Sequence, residues 1–118
     1  MLPSCMKLIA EARRSVREVA WHELEDEMCE NSFIVDVREP HEFAEGSVPG
    51  AINVPRGLLE FNIQNHPDFR HLEVDELLNA RLFLLCGTGG RSALATLTLE
   101  ALEFTNVYSI AGGLKLRP

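Results

Sequence analysis

Short apolar runs separated by amphipathic segments dominate the hydrophobic pattern of the chain. Residues 5–14 place Met6, Leu8, Ile9, Ala10 and Ala12 among charged residues, a helical pattern for which Ser4 is the candidate cap. Val19–Ala20 reads as a very short strand, and WHELEDEMCE (21–30) as a helix with Trp21, Leu24, Met28 and Cys29 on one side. Ser32–Val37 is a short buried strand. Pro40 suits the first turn of a helix over PHEFAEG, closed by Gly46, and a Pro49–Gly50 turn leads into the strand AINVP, stopped by Pro55. The pattern is weakest between Gly57 and Ala80. It predicts loop or short helices around Leu58, Leu59 and Phe61, inward-facing Phe69 and Leu72, and a helical turn over VDELLNA. LFLLC (82–86) is a buried strand, and SALATLTLEALEF (92–104) a helix presenting Leu94, Leu97, Ala101 and Leu102 to the sheet. NVYSIAGG (106–113) is a last strand ending in a glycine pair. Short strands alternating with helices predict an α/β fold of three layers, a mainly parallel sheet with helices on both faces.

The length of 118 residues suits one domain, with residues 1–17 as a helical extension before a core of 18–118. No repeat or low-complexity tract interrupts it. Eighteen acidic against eleven basic residues give a formal net charge of −7, which argues against a nucleic-acid partner. It also disfavours anionic small molecules unless their site is locally positive. No apolar run is long enough for a signal-peptide core or a membrane span, so a cytoplasmic protein without membrane contact is expected. Cys5, Cys29 and Cys86 form no close pair, and His22, His41, His66 and His71 are scattered. The cysteines fit a reducing compartment, and neither a metal site nor a cofactor is expected.

The concentrated chemistry is CGTGGRS, residues 86–92. Cys86 falls at the carboxyl end of a predicted parallel strand, where open α/β sheets collect ligands. Gly87, Gly89 and Gly90, with Thr88 between them, allow a tight turn that aims backbone N–H groups into one concavity. Ser92 opens the following helix, whose first N–H groups have no internal partner. Together with Arg91, these donors favour the thiolate, the nucleophilic form of cysteine. Arg91 has two candidate tasks: meeting an incoming oxyanion, or bracing the loop by bonding a carboxylate such as Glu42. A lone cysteine in an apolar strand is ordinarily a small buried hydrophobe. That reading suits Cys5 and Cys29, but it leaves the three glycines after Cys86 unexplained. A phosphate loop is disfavoured because Arg91–Ser92 stands where Lys–Ser or Lys–Thr is required, and the glycines do not follow G-x-G-x-x-G.

Four stretches resemble the single-domain rhodaneses. IVDVREPHEFAEGSVPGAINVP (34–55) resembles the first signature of that family, CGTGGRSALA (86–95) its active-site loop, NVYSIAGG its closing strand and WHELEDEM the helix before the first signature. The resemblance spans nearly the whole chain and implies a single rhodanese domain over residues 1–118. It implies that Cys86 takes a sulfane sulfur from thiosulfate or a similar donor and carries it as a persulfide to cyanide or a thiol. Residues 87–91 then hold the persulfide and the leaving anion, while Asp36, Arg38 and Glu42 brace the surroundings. The implied partners are small sulfur-containing anions and a thiol- or persulfide-bearing protein.

Three departures from the family pattern qualify this. Ser47 replaces a frequent histidine. The segment after Gly112–Gly113, LKLRP, lacks the usual tryptophan-bearing helix, so residues 5–14 or a second subunit are expected to cover the exposed apolar area. The loop lacks a basic residue other than Arg91, which predicts a weaker reaction with thiosulfate. The alternatives are a persulfide carrier or a regulatory module serving a protein partner. A phosphatase or arsenate reductase is disfavoured because four residues, not five, separate Cys86 from Arg91.

Overall fold

A computed structural model describes residues 1–118. Helix α1 (Pro3–Ser15) precedes strand β1 (Glu18–Val19), α2 (Trp21–Glu27), β2 (Ser32–Asp36), α3 (Pro40–Ala44) and β3 (Ile52–Asn53). A 3-10 turn at Arg56–Leu58 leads to α4 (Leu59–Asn62), α5 (Val74–Asn79), β4 (Arg81–Leu85), α6 (Gly90–Ala101) and β5 (Asn106–Ile110). A second 3-10 turn, Gly113–Leu116, follows. The five strands are all parallel, in the order β1-β5-β4-β2-β3.

The central strands are apolar on both faces because both faces are covered. On one side Val35, Leu82, Leu84 and Val107 pack with Leu59, Phe69, Leu77, Ala95 and Leu99, joining α4, α5 and α6 to the sheet. On the other, Phe83, Leu85 and Ile110 pack with Val19, Leu24 and Trp21 around α2. Burying each such side chain contributes roughly 1.5–3 kcal/mol. Helix α1 lies outside these layers, with Ala12 and Val16 against Ala93 of α6. Helix α1 thus covers part of α6. No helix is long and apolar enough to cross a membrane.

Glutamates set several helix starts. Glu23, Glu42 and Glu76, each at the third helical position, accept the backbone N–H of Ala20, Glu39 and Glu73. Each satisfies a donor that the helix itself cannot.

Several expectations need correcting. Ser4 does not cap α1. Pro3 already occupies its first turn, where a missing N–H costs nothing, and Leu2 is the capping position without a side-chain bond. Helix α2 stops at Glu27, so Met28 and Cys29 leave the apolar stripe and lie at the surface. Helix α6 starts at Gly90 rather than Ser92, and its inner face is Ser92, Ala95, Thr96 and Leu99. Leu97 and Leu102 are exposed, and Leu94 packs toward α1. Small residues win the inner face because the helix must lie close to β4 and β5, and the leucines fit only at its margins.

The tightest contact joins the segment after β5 to the segment after β4. Gly113 has φ +60, and a β-carbon there would overlap the Cys86 carbonyl oxygen and lie 2.7 Å from the Gly87 carbonyl carbon. Leu114 N–H donates to Cys86 O at 2.9 Å and Lys115 N–H to Gly87 O at 3.0 Å. Trp21 Nε1 donates to Gly113 O at 2.9 Å, which gives that side chain a polar anchor as well as its packing. Gly113→Ala is therefore expected to cost about 3 kcal/mol in urea unfolding. Gly57→Ala, where an added β-carbon meets nothing within 4 Å, should stay within about 0.5 kcal/mol. Equal effects at the two positions would refute this.

Candidate active site

The strand order changes direction between β4 and β2, and both strands end at the same level, with Asp36 paired to Leu85. This is the crevice position at which open α/β sheets bind ligands. Cys86 follows β4, and Arg38 lies two residues beyond β2.

Cys86 is fully buried at the bottom of its loop. The Gly89 N–H donates to its Sγ at 3.0 Å and the Ser92 N–H at 3.4 Å. Gly89 reaches this position with φ +100, in the left-handed region, while capping α6. A β-carbon at Gly89 would lie 3.0 Å from the Gly112 nitrogen, tighter than ordinary contact. Ser92 Oγ stands 3.4 Å from Sγ, donates to Gly89 O at 3.2 Å, and meets Ser109 Oγ at 2.8 Å. Both serines are fully buried. Ser109 escaped the sequence reading. Nothing local in NVYSI sets it apart, because its partner hydroxyl, Ser92, lies on α6.

Arg91 bonds Glu42 across the crevice. Its Nη1 donates to Glu42 Oε1 at 2.8 Å and its Nη2 to Oε2 at 3.2 Å, a two-pronged pair between α6 and α3. Its Nη2 also lies 3.3 Å from where a β-carbon would stand on Gly87, so that glycine accommodates the guanidinium. Hydrogen bonding to Glu42 raises the Arg91 pKa further above its ordinary value. The same pair, with the Glu39 N–H, draws the Glu42 carboxyl down to about 2.

A second, buried pair lies behind the first. Arg38 donates through Nε and Nη2 to both Asp36 carboxylate oxygens, and through Nη2 to Gly46 O at 2.7 Å. The Asp36 hydrogen bond raises the Arg38 pKa. Ser47 Oγ donates to Asp36 Oδ2 at 2.7 Å, so serine maintains a hydrogen bond at the corner where a histidine was expected. Asn53 Nδ2 donates to the carbonyls of Asp36 and Arg38 and ties β3 to the same corner. Thr88 is exposed at the loop tip, and Gly90 contacts Ile9 of α1. Thus Cys86 and its loop form one group, and Asp36, Arg38 and Glu42 form a charged brace beside it.

The brace has a defined acid response. Because the Glu42 carboxyl is lowered on folding, its contribution is complete above the ordinary value of 4.5 and is lost as pH falls toward about 2. Urea midpoints of the wild type should therefore fall relative to Glu42→Gln across that interval, and less at high salt because the pair is partly exposed. Parallel pH profiles for the two proteins would contradict this.

Comparison with known proteins agrees with the architecture. The rhodanese-like domain model matches residues 20–116. The chain is 39% identical over 83 residues to thiosulfate sulfurtransferase 16, chloroplastic, from Arabidopsis thaliana, covering 67% of this chain and 68% of that protein. It is 35% identical over 83 residues to the Homo sapiens thiosulfate:glutathione sulfurtransferase, covering 67% of this chain and 72% of the relative. A structure from Rhodopseudomonas palustris, a protein of unknown function described as a possible tyrosine phosphatase, superposes with a TM-score of 0.78 at 26% identity. That superposition covers 99% of this chain and 90% of the other. With most of its length matched and two sulfurtransferases among its relatives, this chain belongs to the rhodanese-like family.

Proposed function

We propose that the protein is a sulfurtransferase of the thiosulfate type in which Cys86 is the nucleophile. The observation carrying this reading is the convergence of the Gly89 and Ser92 amides on Cys86 Sγ. In the first half-reaction the Cys86 thiolate attacks the sulfane sulfur of thiosulfate. A Cys86 sulfur–sulfur bond forms, the donor's sulfur–sulfur bond breaks, and sulfite leaves with the bonding electrons. In the second, cyanide or a thiolate attacks the outer sulfur, and the electron pair of the broken bond restores the Cys86 thiolate. Two easier displacements replace one difficult transfer. Gly87, Thr88, Gly89, Gly90 and Arg91 supply the backbone around the outer sulfur, and Ser92 supplies the helix N-terminal donor beneath it. Asp36, Arg38 and Glu42 fix the surrounding loops without touching the reacting atoms.

The Arg91–Glu42 pair bears on substrate choice. A guanidinium held by two carboxylate oxygens is a poor seat for a tetrahedral dianion, which weighs against phosphoryl transfer. It also favours a second reading for the donor, a persulfide delivered by a protein partner instead of free thiosulfate. In that case the protein is a sulfur carrier using the same cysteine.

Intact-mass measurement after incubation with thiosulfate tests the reading. Wild type should gain one sulfur atom, cyanide should remove it, and Cys86→Ser should gain nothing. A gain only from a persulfidated protein donor assigns the carrier role. A gain that persists in Cys86→Ser, or no gain from either donor, overturns the proposal.

A further inference from the structure

A chain of two fully buried hydroxyls starts at the Cys86 sulfur. Ser92 Oγ lies 3.4 Å from Sγ, and Ser109 Oγ lies 2.8 Å from Ser92 Oγ. Ser109 stands on β5 on the same sheet face as Val107, the face that α6 covers. Its amide already serves the sheet, donating to Arg17 O at 2.9 Å, so its hydroxyl is not needed to hold the strand. That hydroxyl bonds only Ser92. Were close approach of helix and strand the sole requirement, alanine would serve, as Ala93 and Ala95 do on the same helix. A buried hydroxyl is costly without a partner, and here each supplies the other's.

The hydrogens can be assigned by counting. Each hydroxyl has one hydrogen and two lone pairs. With Cys86 as a thiol, S–H donates to Ser92 Oγ, and Ser92 O–H donates to Gly89 O at 3.2 Å. The single Ser92 hydrogen is then used, so Ser109 O–H is the donor within the pair. Ionisation breaks the S–H bond, leaves its electron pair on sulfur and passes the proton to water. Ser92 O–H then turns from Gly89 O to the thiolate, a third donor beside the Gly89 and Ser92 amides. Gly89 O keeps a partner, because Ala93 N–H donates to it at 3.2 Å. Ser109 donates in both arrangements. It holds the Ser92 oxygen in place while the Ser92 hydrogen changes partner, and it polarises that hydroxyl toward the sulfur.

We infer that Ser109 is a positioning residue for the Cys86 sulfur, acting through Ser92 to favour the thiolate. Its importance to turnover rests on Cys86 being the nucleophile of sulfur transfer. The charged groups on the elements packed around the loop are Arg91 of α6, Glu42 of α3, Asp36 and Arg38 at the end of β2, Lys115 of the closing turn and Arg13 of α1. None of them bonds either serine hydroxyl, so substitution of Ser109 leaves their charges in place.

Thiolate ultraviolet absorbance, followed against pH, tests this without requiring a reagent to reach the buried sulfur. Wild type, Ser109→Ala, Ser109→Thr, Ser92→Ala and the double variant are each measured against the same protein carrying Cys86→Ala, which cancels Cys5 and Cys29. Ser109→Ala should lower the Cys86 ionisation constant about threefold, within the range of one net hydrogen bond. Ser109→Thr, which keeps the hydroxyl, should stay near wild type. In the Ser92→Ala background, Ser109→Ala should change nothing, because the group through which it acts is gone. An unchanged ionisation in Ser109→Ala, or an equal fall in both backgrounds, would overturn the role of Ser109. Intact mass of the same proteins, after thiosulfate or a persulfidated protein donor, reads sulfur transfer separately. The expected titrations without any sulfur gain would sink the transfer reading and leave the hydroxyl pair standing. Sulfur gain with an unmoved titration would sink the Ser109 inference alone.

Discussion

The contact between Gly113 and the backbone of Cys86 and Gly87 is the constraint on which the site depends. No side chain fits there, and the following two N–H groups take the Cys86 and Gly87 carbonyls. With those carbonyls bonded away from the sulfur, the amides farther along the loop are available to face it. Trp21 fastens the same point from α2 through Gly113 O. The end of β5, the end of β4 and the start of the core are thereby locked into one unit. The cysteine is presented by backbone geometry, which substitution of neighbouring surface side chains leaves in place.

Charge is arranged around that unit and kept off the sulfur. The two arginines nearest the loop are both engaged, Arg38 with Asp36 and Arg91 with Glu42. The first pair is buried and multiply hydrogen-bonded, the condition under which an ion pair fixes geometry strongly. The second is partly exposed and joins two elements on either side of the crevice. What faces Sγ is instead a pair of amide donors, with the Ser92 hydroxyl oxygen placed to accept from the thiol and itself held by buried Ser109.

The legible parts of the sequence were those with local physical signatures. The five-residue apolar run LFLLC marked β4, shorter apolar stretches marked β2 and β5, and the cluster of glycines after Cys86 marked the turn and its donors. The glycine pair after β5 was visible as a motif, but its task required the fold, since its partner lies twenty-six residues earlier. The inner face of α6 was misread for a physical reason: leucine spacing suggested packing, whereas close approach selected Ser92, Ala95 and Thr96. Ser109 carries no local mark at all, because a serine in a strand gains meaning only from the hydroxyl opposite it. Ser47 was seen as a departure, and the structure adds that its hydroxyl reaches Asp36.

The central claim is that loop amides, rather than a basic side chain, hold the transferred sulfur on Cys86. A crystal structure of thiosulfate-treated protein tests it most directly. The account predicts one additional sulfur bonded to Cys86 Sγ, surrounded by N–H groups of residues 87–91, with Arg91 still on Glu42. An unmodified Cys86, or an added sulfur bound by an Arg91 that has left Glu42, would contradict it.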